Sequence, residues 1–219
     1  MHEEDSMSDF LQWHHETLAA RTVEALKKHE FDAVYFPNRE QAVEHILSFI
    51  KPGHKVGFGG SMTVQALGIA DKAKEKGAIV LNHNAPGLTP EEKNEIRRQQ
   101  LVCDVFISGS NAVTMDGCIV NIDAYGNRTN ALTFGPRKIV IVVGMNKIRK
   151  DVDEAMERVK HYAAPLNNKR INTSNPCTVS GTCSECTSKA RICRVYSILR
   201  RKPSLSDTTV VIIGEALGF

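Results

Sequence analysis

The sequence predicts an α/β fold: a mostly parallel sheet with helices on both faces, plus a small cysteine-rich insertion near the C-terminus. Three observations carry this expectation. Short apolar runs alternate with stretches of helical period from Asp32 to Ser108, Lys138–Gly144 is a continuous run fit for a buried central strand, and four of the six cysteines crowd into residues 177–193. Strand–helix alternation implies crossover connections, and those produce parallel strands covered on both faces.

The elements follow in order. Residues 8–29 space Leu11, Leu18, Val23, Ala25 and Leu26 between charged positions, which predicts an opening amphipathic helix. Residues 1–7 are set apart as a flexible N-terminus, with Met7 as an alternative start. Next come strand Asp32–Phe36, helix 38–50, strand Lys55–Phe58, helix 62–76, strand Ala78–Asn82, helix 89–101 and strand Asp104–Ser108. Helix starts are marked by Asn38 with Gln41, by Ser61, and by Thr89-Pro90-Glu91-Glu92.

At Ala112–Asp123 the Asp116-Gly117 dipeptide between two β-prone runs predicts a hairpin that interrupts the parallel order. Lys138–Gly144 restores a buried strand, and residues 151–163 return to helical period through Val152, Ala155, Met156 and Val159. Residues 164–203 form the Cys-rich segment, and Thr208–Gly214 is a last strand returning to the main sheet. With no independent linker, residues 8–219 are expected to form one domain with the Cys-rich segment as an insertion.

At 219 residues, 42% hydrophobic and 24% charged, the chain can bury one core. A net charge of +3 without a basic stripe carrying interleaved aromatics argues against nucleic acid as a partner. No window approaches the roughly 20 apolar residues of a membrane span, and the start is unlike a signal peptide, so a cytoplasmic location is expected. Reduced thiols are then expected rather than disulfides.

Cys177, Cys183, Cys186 and Cys193 are spaced C-x5-C-x2-C-x6-C. The central pair can reach one metal or cluster from a single turn, and the flanking spacings let the chain wrap around it. Four thiols without clustered His make a soft donor set, which leaves a [4Fe–4S] cluster and a structural zinc as alternatives. Cys103 and Cys118 read as small hydrophobes, His14 and His15 as helix neighbours that point apart, and the arginines from Arg191 to Arg201 as a solvated face.

Gly57 to Thr63 runs from a strand through a Gly-rich turn into a helix, so Gly59, Gly60, Ser61 and Thr63 could cradle a phosphate, a carboxylate or a phosphopantetheine-like group. Met62 replaces the third glycine of a dinucleotide fingerprint, and no P-loop lysine is present. Across the same sheet end the sequence places Ser108, Ser110, Asn111, Asn121 and Asn127 as ligand-binding candidates, with Lys147 as a partner for an anionic substrate. Asp123 and Asp116 are candidate acids or bases, Asp116 competing with a turn role, and Glu215 is a further candidate base.

The stretch Asp104–Gly117, then Val120–Asp123, Gly126-Asn127-Arg128, Gly135-Pro136, Gly144–Ile148 and Ala163–Asn167 together resemble the LUD (lactate-utilisation) domain family, over roughly residues 8–219. The resemblance implies a fold similar to ribose-phosphate isomerase, CoA-transferase subunits and methenyltetrahydrofolate synthetase, with ligands bound at the sheet-end crevice. It also implies an association with bacterial oxidation of lactate to pyruvate alongside iron–sulfur subunits. The chain departs from larger members in having no paired C-x2-C-x2-C-x3-C runs, only the single C-terminal set.

Three functions are open at this point. One is an iron–sulfur redox component acting on or supporting oxidation of a small hydroxy or oxo acid, with a redox partner subunit. Another is a non-redox isomerase or acyl-transfer enzyme, with Asp123 or Glu215 as base and a structural metal. The third is a regulatory partner without turnover, and a homodimer is compatible with any of them.

Overall fold

A computed structural model describes residues 7–219; the first six residues, most of the expected flexible N-terminus, lie outside the described residues. Helix α1 (Met7–Lys28) opens the fold and leads through β1 (Asp32–Phe36) into α2 (Arg39–Ser48), β2 (Lys55–Phe58), α3 (Met62–Ala66) and α4 (Ile69–Glu75). There follow β3 (Ile79–Leu81), α5 (Pro90–Gln100), β4 (Val105–Gly109), β5 (Ala112–Thr114), β6 (Ile119–Asp123) and α6 (Asn127–Thr133). The last part holds β7 (Lys138–Gly144), β8 (Ile148–Arg149), α7 (Val152–Arg158), α8 (Ala164–Arg170), α9 (Cys177–Ser180), β9 (Val195–Leu199) and β10 (Thr208–Ile213).

The expected caps act as predicted. Asn38 accepts from Gln41 N, Ser61 Oγ accepts from Val64 N, and Thr89 with Glu92 closes a reciprocal box at the start of α5. Six strands form a sheet in the order β1-β10-β7-β4-β2-β3, and every pairing in it is parallel. The closing strand β10 therefore inserts between β1 and β7 rather than joining an edge.

β7 shows why the sheet holds. Ile139, Ile141 and Val143 face one core with Phe106, Val210 and Ile212, while Val140 and Val142 face the other with Ile107, Val211 and Ile213. Burial on both faces leaves no polar side for water, hence the unbroken apolar run in the sequence. The second core is covered by α2, α3 and α4 residues such as Ile46, Val64 and Ile69.

The expected hairpin is present, β5 antiparallel to β6, but it belongs to a second sheet in the order β8-β5-β6-β9. Val113, Ile119 and Leu199 of that sheet pack into the first core, and its outer face is closed by Ala155 and Val159.

Three local expectations change. The helix expected over 62–76 breaks at Leu67-Gly68, where Gly68 adopts a left-handed φ of 63° that a continuous helix does not tolerate. The helix expected over 151–163 continues to Arg170 through a π-turn at Val159–Ala163. The Cys-rich stretch 164–203 is thus not all loop: it begins as α8 and ends in β9, which pairs with β6 from Ile119↔Leu199 to Asp123↔Val195.

Candidate functional site

The parallel strands β2 and β4 end side by side, and the backbones there approach too closely for side chains. A Cβ on Gly59 would meet Ser108 Oγ at 2.3 Å, and one on Gly109 would meet Ser61 Oγ at 2.5 Å, so each glycine makes room for the serine of its neighbour. The result is a crevice of about 350 Å³ at the C-terminal sheet end, where open α/β sheets place ligands.

Of the residues expected there, Gly60, Ser61, Ser108, Asn111, Asp123 and Asn127 line the crevice. The others are not in its lining. Gly59 backs onto Ser108, and Ser110 Oγ donates to the Ala112 and Val120 carbonyls. Asn121, 1% exposed, accepts at Oδ1 from Asn111 N and Arg128 Nη1. Thr63 Oγ1 donates to Leu217 O and accepts from Lys147 Nζ at 2.8 Å; that lysine also donates to Ser110 O. Asp116 takes the turn role, accepting from Thr114 Oγ1 in the hairpin. Glu215 receives the Arg39 backbone N–H and guanidinium at the start of α2.

Burial and the neighbouring Arg158 and Arg128 push the Lys147 amine down to about 7, an effect the sequence does not reveal because its neighbours come from distant segments. Asp123 sits against Arg128 Nε at 2.9 Å and accepts Thr129 N through its other oxygen.

His83, Asn84, Arg97, Tyr125, Arg128, Asn167 and Arg170 also line the crevice; of these only Arg128, in the Gly126-Asn127-Arg128 stretch, was expected there from the sequence. His83 and Asn84 follow β3, so the sheet-end rule applied to that strand would have found them. Gln100 fixes the His83 ring. Its Nε2 donates to Phe58 O at 2.9 Å and Leu81 O at 2.8 Å, which uses both amide hydrogens, so Oε1 must face His83 Nδ1. Nδ1 therefore carries the proton and Nε2 is left as an acceptor. Burial and the charge of Arg97 lower the His83 pKa from 6.5, which keeps the ring neutral at pH 7.

Cys177, Cys183, Cys186 and Cys193 line a second, smaller cavity together with Lys160, Ala164 and Arg191. All six cysteines are free, and Cys103 and Cys118 are buried elsewhere. Arg191 holds this segment by donating to Cys186 O and Cys193 O, and Lys160 pairs with Glu185 at 3.0 Å. Partial burial raises Cys177, helped by the Cys186 and Cys183 thiols, and raises Cys193 to about 11 against the opposing charge of Arg191, with Cys183, Cys177 and Cys186 adding to the rise. Among the described residues no three His, Cys, Asp or Glu side chains come close enough together to hold one metal ion. Cys193 and Ala164 line both cavities, so one cysteine of the set borders the crevice. The π-turn just before Ala164 delivers Ala163 and Ala164 to this shared wall.

The LUD domain model matches residues 19–213, which include all four clustered cysteines and every residue lining the two cavities except Phe219. The chain belongs to the LUD domain family. A DUF162 family protein from Deinococcus radiodurans superposes with a TM-score of 0.51 at 12% identity, covering 91% of this chain and 98% of that one. Partial likenesses extend to eIF2B beta from Chaetomium thermophilum (16% identity, TM-score 0.36, 53% of this chain and 44% of that one). Ribose 5-phosphate isomerase from Plasmodium falciparum is similar over 51% of this chain and 52% of its own (11% identity, TM-score 0.33). No curated protein matches the sequence. Among the described residues no helix of this LUD domain protein is long and apolar enough to cross a membrane.

Proposed function

We propose that this LUD domain protein is an iron–sulfur redox component whose crevice holds a small hydroxy or oxo acid beside the cluster. The observation that carries this reading is Cys193, whose side chain borders both cavities and would leave a bound acid next to a cluster ligand. Cys177, Cys183, Cys186 and Cys193 would hold the cluster, which when bound supplies one-electron transfer.

The donor set favours a cluster over zinc. Four thiols around one cavity, with no His among its lining residues, make a soft donor set, which supports the cluster reading. The void is only about 20 Å³, so holding a cluster there would require the segment from Cys177 to Cys193, in which no residue is buried, to open around it. Lys160 and Arg191 line the cavity and offset the charge of thiolates.

The crevice residues bind and orient the acid. Ser61, Asn84, Arg97 and Arg170 offer donors to its carboxylate, and His83 Nε2 is the proton acceptor for its hydroxyl. Asp123 and Arg128 shape the rim by bonding each other.

Anaerobic purification with iron, sulfide and zinc analysis and a visible spectrum tests the reading. About four iron and four sulfide per chain, lost in Cys183→Ser and Cys186→Ser, is the expected result. Stoichiometric zinc, or no metal, would replace it with isomerase or acyl-transfer chemistry in the same crevice.

A further inference from the structure

The charges lining the crevice do not balance. Arg97, Arg128 and Arg170 face one side-chain carboxylate, Asp123, and Arg128 is already paired with it. Among the described residues neither Arg97 nor Arg170 takes part in an ion pair with a carboxylate. Arg97, on α5, donates from Nη1 to Asn94 Oδ1 and lies 5.0 Å from the Tyr125 ring centre, while its Nε is buried with no acceptor. Arg170, on α8, donates from Nε and Nη2 to Asn167 Oδ1, which leaves its Nη1 hydrogens for a ligand.

A buried N–H without an acceptor is costly, and a guanidinium presents its donors in a fork matched to carboxylate or phosphate. The two arginines also belong to different walls. Arg97, on α5, lies beside His83 and Tyr125, whereas Arg170, on α8, is held by Asn167. A three-carbon monocarboxylate can satisfy one of them and would leave most of the roughly 350 Å³ to water.

We infer that the ligand of this crevice carries two anionic groups, one bound at Arg97 and one at Arg170, as in a phosphorylated or dicarboxylic hydroxy acid. The inference rests on the crevice being a site for a small acid and goes further in fixing its charge. Tyr125 shields the Arg97 end, and His83, whose ring feels the Arg97 charge, lies beside the same anionic group.

Calorimetric titration of the full chain with L-lactate, inorganic phosphate, L-malate and 3-phosphoglycerate tests this. At least one two-anion acid is expected to bind at least about tenfold more tightly than lactate or phosphate, and which of the two it is tells carboxylate from phosphate. Arg97→Ala and Arg170→Ala should each weaken that acid roughly 10- to 100-fold, and Arg→Lys less, with the thermal midpoint unchanged. Lactate or phosphate binding as tightly, no binding of either two-anion acid, or alanine variants that bind like the wild type would overturn the inference. Binding is read with or without iron, so a protein that lacks iron yet discriminates in this way removes the redox reading and leaves this one standing.

Discussion

Arg128 donates through Nε to Asp123 Oδ1 at 2.9 Å, and this ion pair is the centre of the crevice rim. The same guanidinium donates to Gly109 O and Asn121 Oδ1 from Nη1, and to Asn111 Oδ1 and Ile122 O from Nη2. Every N–H of the side chain is thus committed to the protein. The side chains of Arg128 and Asp123 are 16% and 8% exposed, so removing one partner strands the other away from water. Arg128→Ala is expected to lower the unfolding free energy by about 3 kcal/mol in urea titrations. Arg128→Lys should recover less than half, because an ammonium cannot reproduce the planar fork. Wild-type stability in both variants would remove Arg128 as the keystone of the rim.

His83 is expected to hold its proton on Nδ1, because Gln100 has only its oxygen left to offer. Nitrogen-15 NMR of the imidazole should show the Nδ1–H tautomer at pH 7, with titration below the ordinary 6.5. His83→Gln should then abolish turnover of the crevice ligand while leaving its affinity within a few fold. An Nε2–H tautomer would end the assignment of His83 as proton acceptor.

Lys147 gives stability a defined pH dependence. Burial, with Arg158 and Arg128 nearby, brings the folded amine to about 7 from 10.5. Between those values the unfolded chain binds a proton that the folded chain does not, so stability rises with pH across this window. Below about 7 both states are protonated and the dependence vanishes. The wild-type unfolding free energy, minus that of Lys147→Met, should increase by on the order of 2 kcal/mol from pH 7 to 9. A difference that stays flat across this range would mean the amine titrates normally.

Much of this architecture was legible in the sequence, and the exceptions share a cause. The caps at Asn38, Ser61 and Thr89 and the apolar run of β7 are local signals, readable without knowing what they pack against. β9 was missed because Val195, Tyr196 and Ile198 are each more than a third exposed, so an edge strand of a second sheet carries no clean alternation. In the crevice, Ser61 and Asn111 were visible as polar residues at strand ends. Arg97 was not, because a helical arginine looks like any solvated charge until the fold brings Tyr125 over it. Asn121 and Lys147, expected as ligand-binding residues, instead hold the protein together behind the crevice surface.

Glu215 stabilises the start of α2 at neutral pH. The Arg39 hydrogen bond, ahead of the Arg39 charge, holds its carboxyl below the ordinary 4.5. A depressed carboxyl contributes stability above its unfolded pKa and loses it as pH falls through the folded value. Glu215→Gln should therefore lower stability at pH 7 and converge with the wild type in acid, as thermal melts at pH 7 and near pH 3 would reveal. Ligand affinity should not change, since Glu215 is absent from the crevice lining; a variant that loses binding would restore it as a site residue.

On the proposed reading that the four thiols hold a cluster, removing it should loosen one segment and spare the rest. From Cys177 to Cys193 no residue is buried, so this stretch has no apolar core of its own. It is held by Arg191 on the Cys186 and Cys193 carbonyls, by Lys160 on Glu185, and by Asn175 Nδ2 on Ala190 O. The half-exposed Lys160–Glu185 pair contributes little and the remaining contacts are a few hydrogen bonds, so a cluster bound by the four thiols would be the main cross-link. The parallel sheet depends on two apolar cores that do not involve the cysteine segment. In hydrogen-exchange mass spectrometry, anaerobically prepared protein and protein stripped with chelator and oxidant should differ chiefly in peptides spanning residues 177–193. Peptides covering β7 and β10 should exchange equally slowly in both. Because Cys193 and Ala164 also border the crevice, the stripped protein should bind its acid more weakly even though no crevice donor has been altered. Equal exchange in the cysteine segment before and after stripping would show that the loop is ordered without a metal.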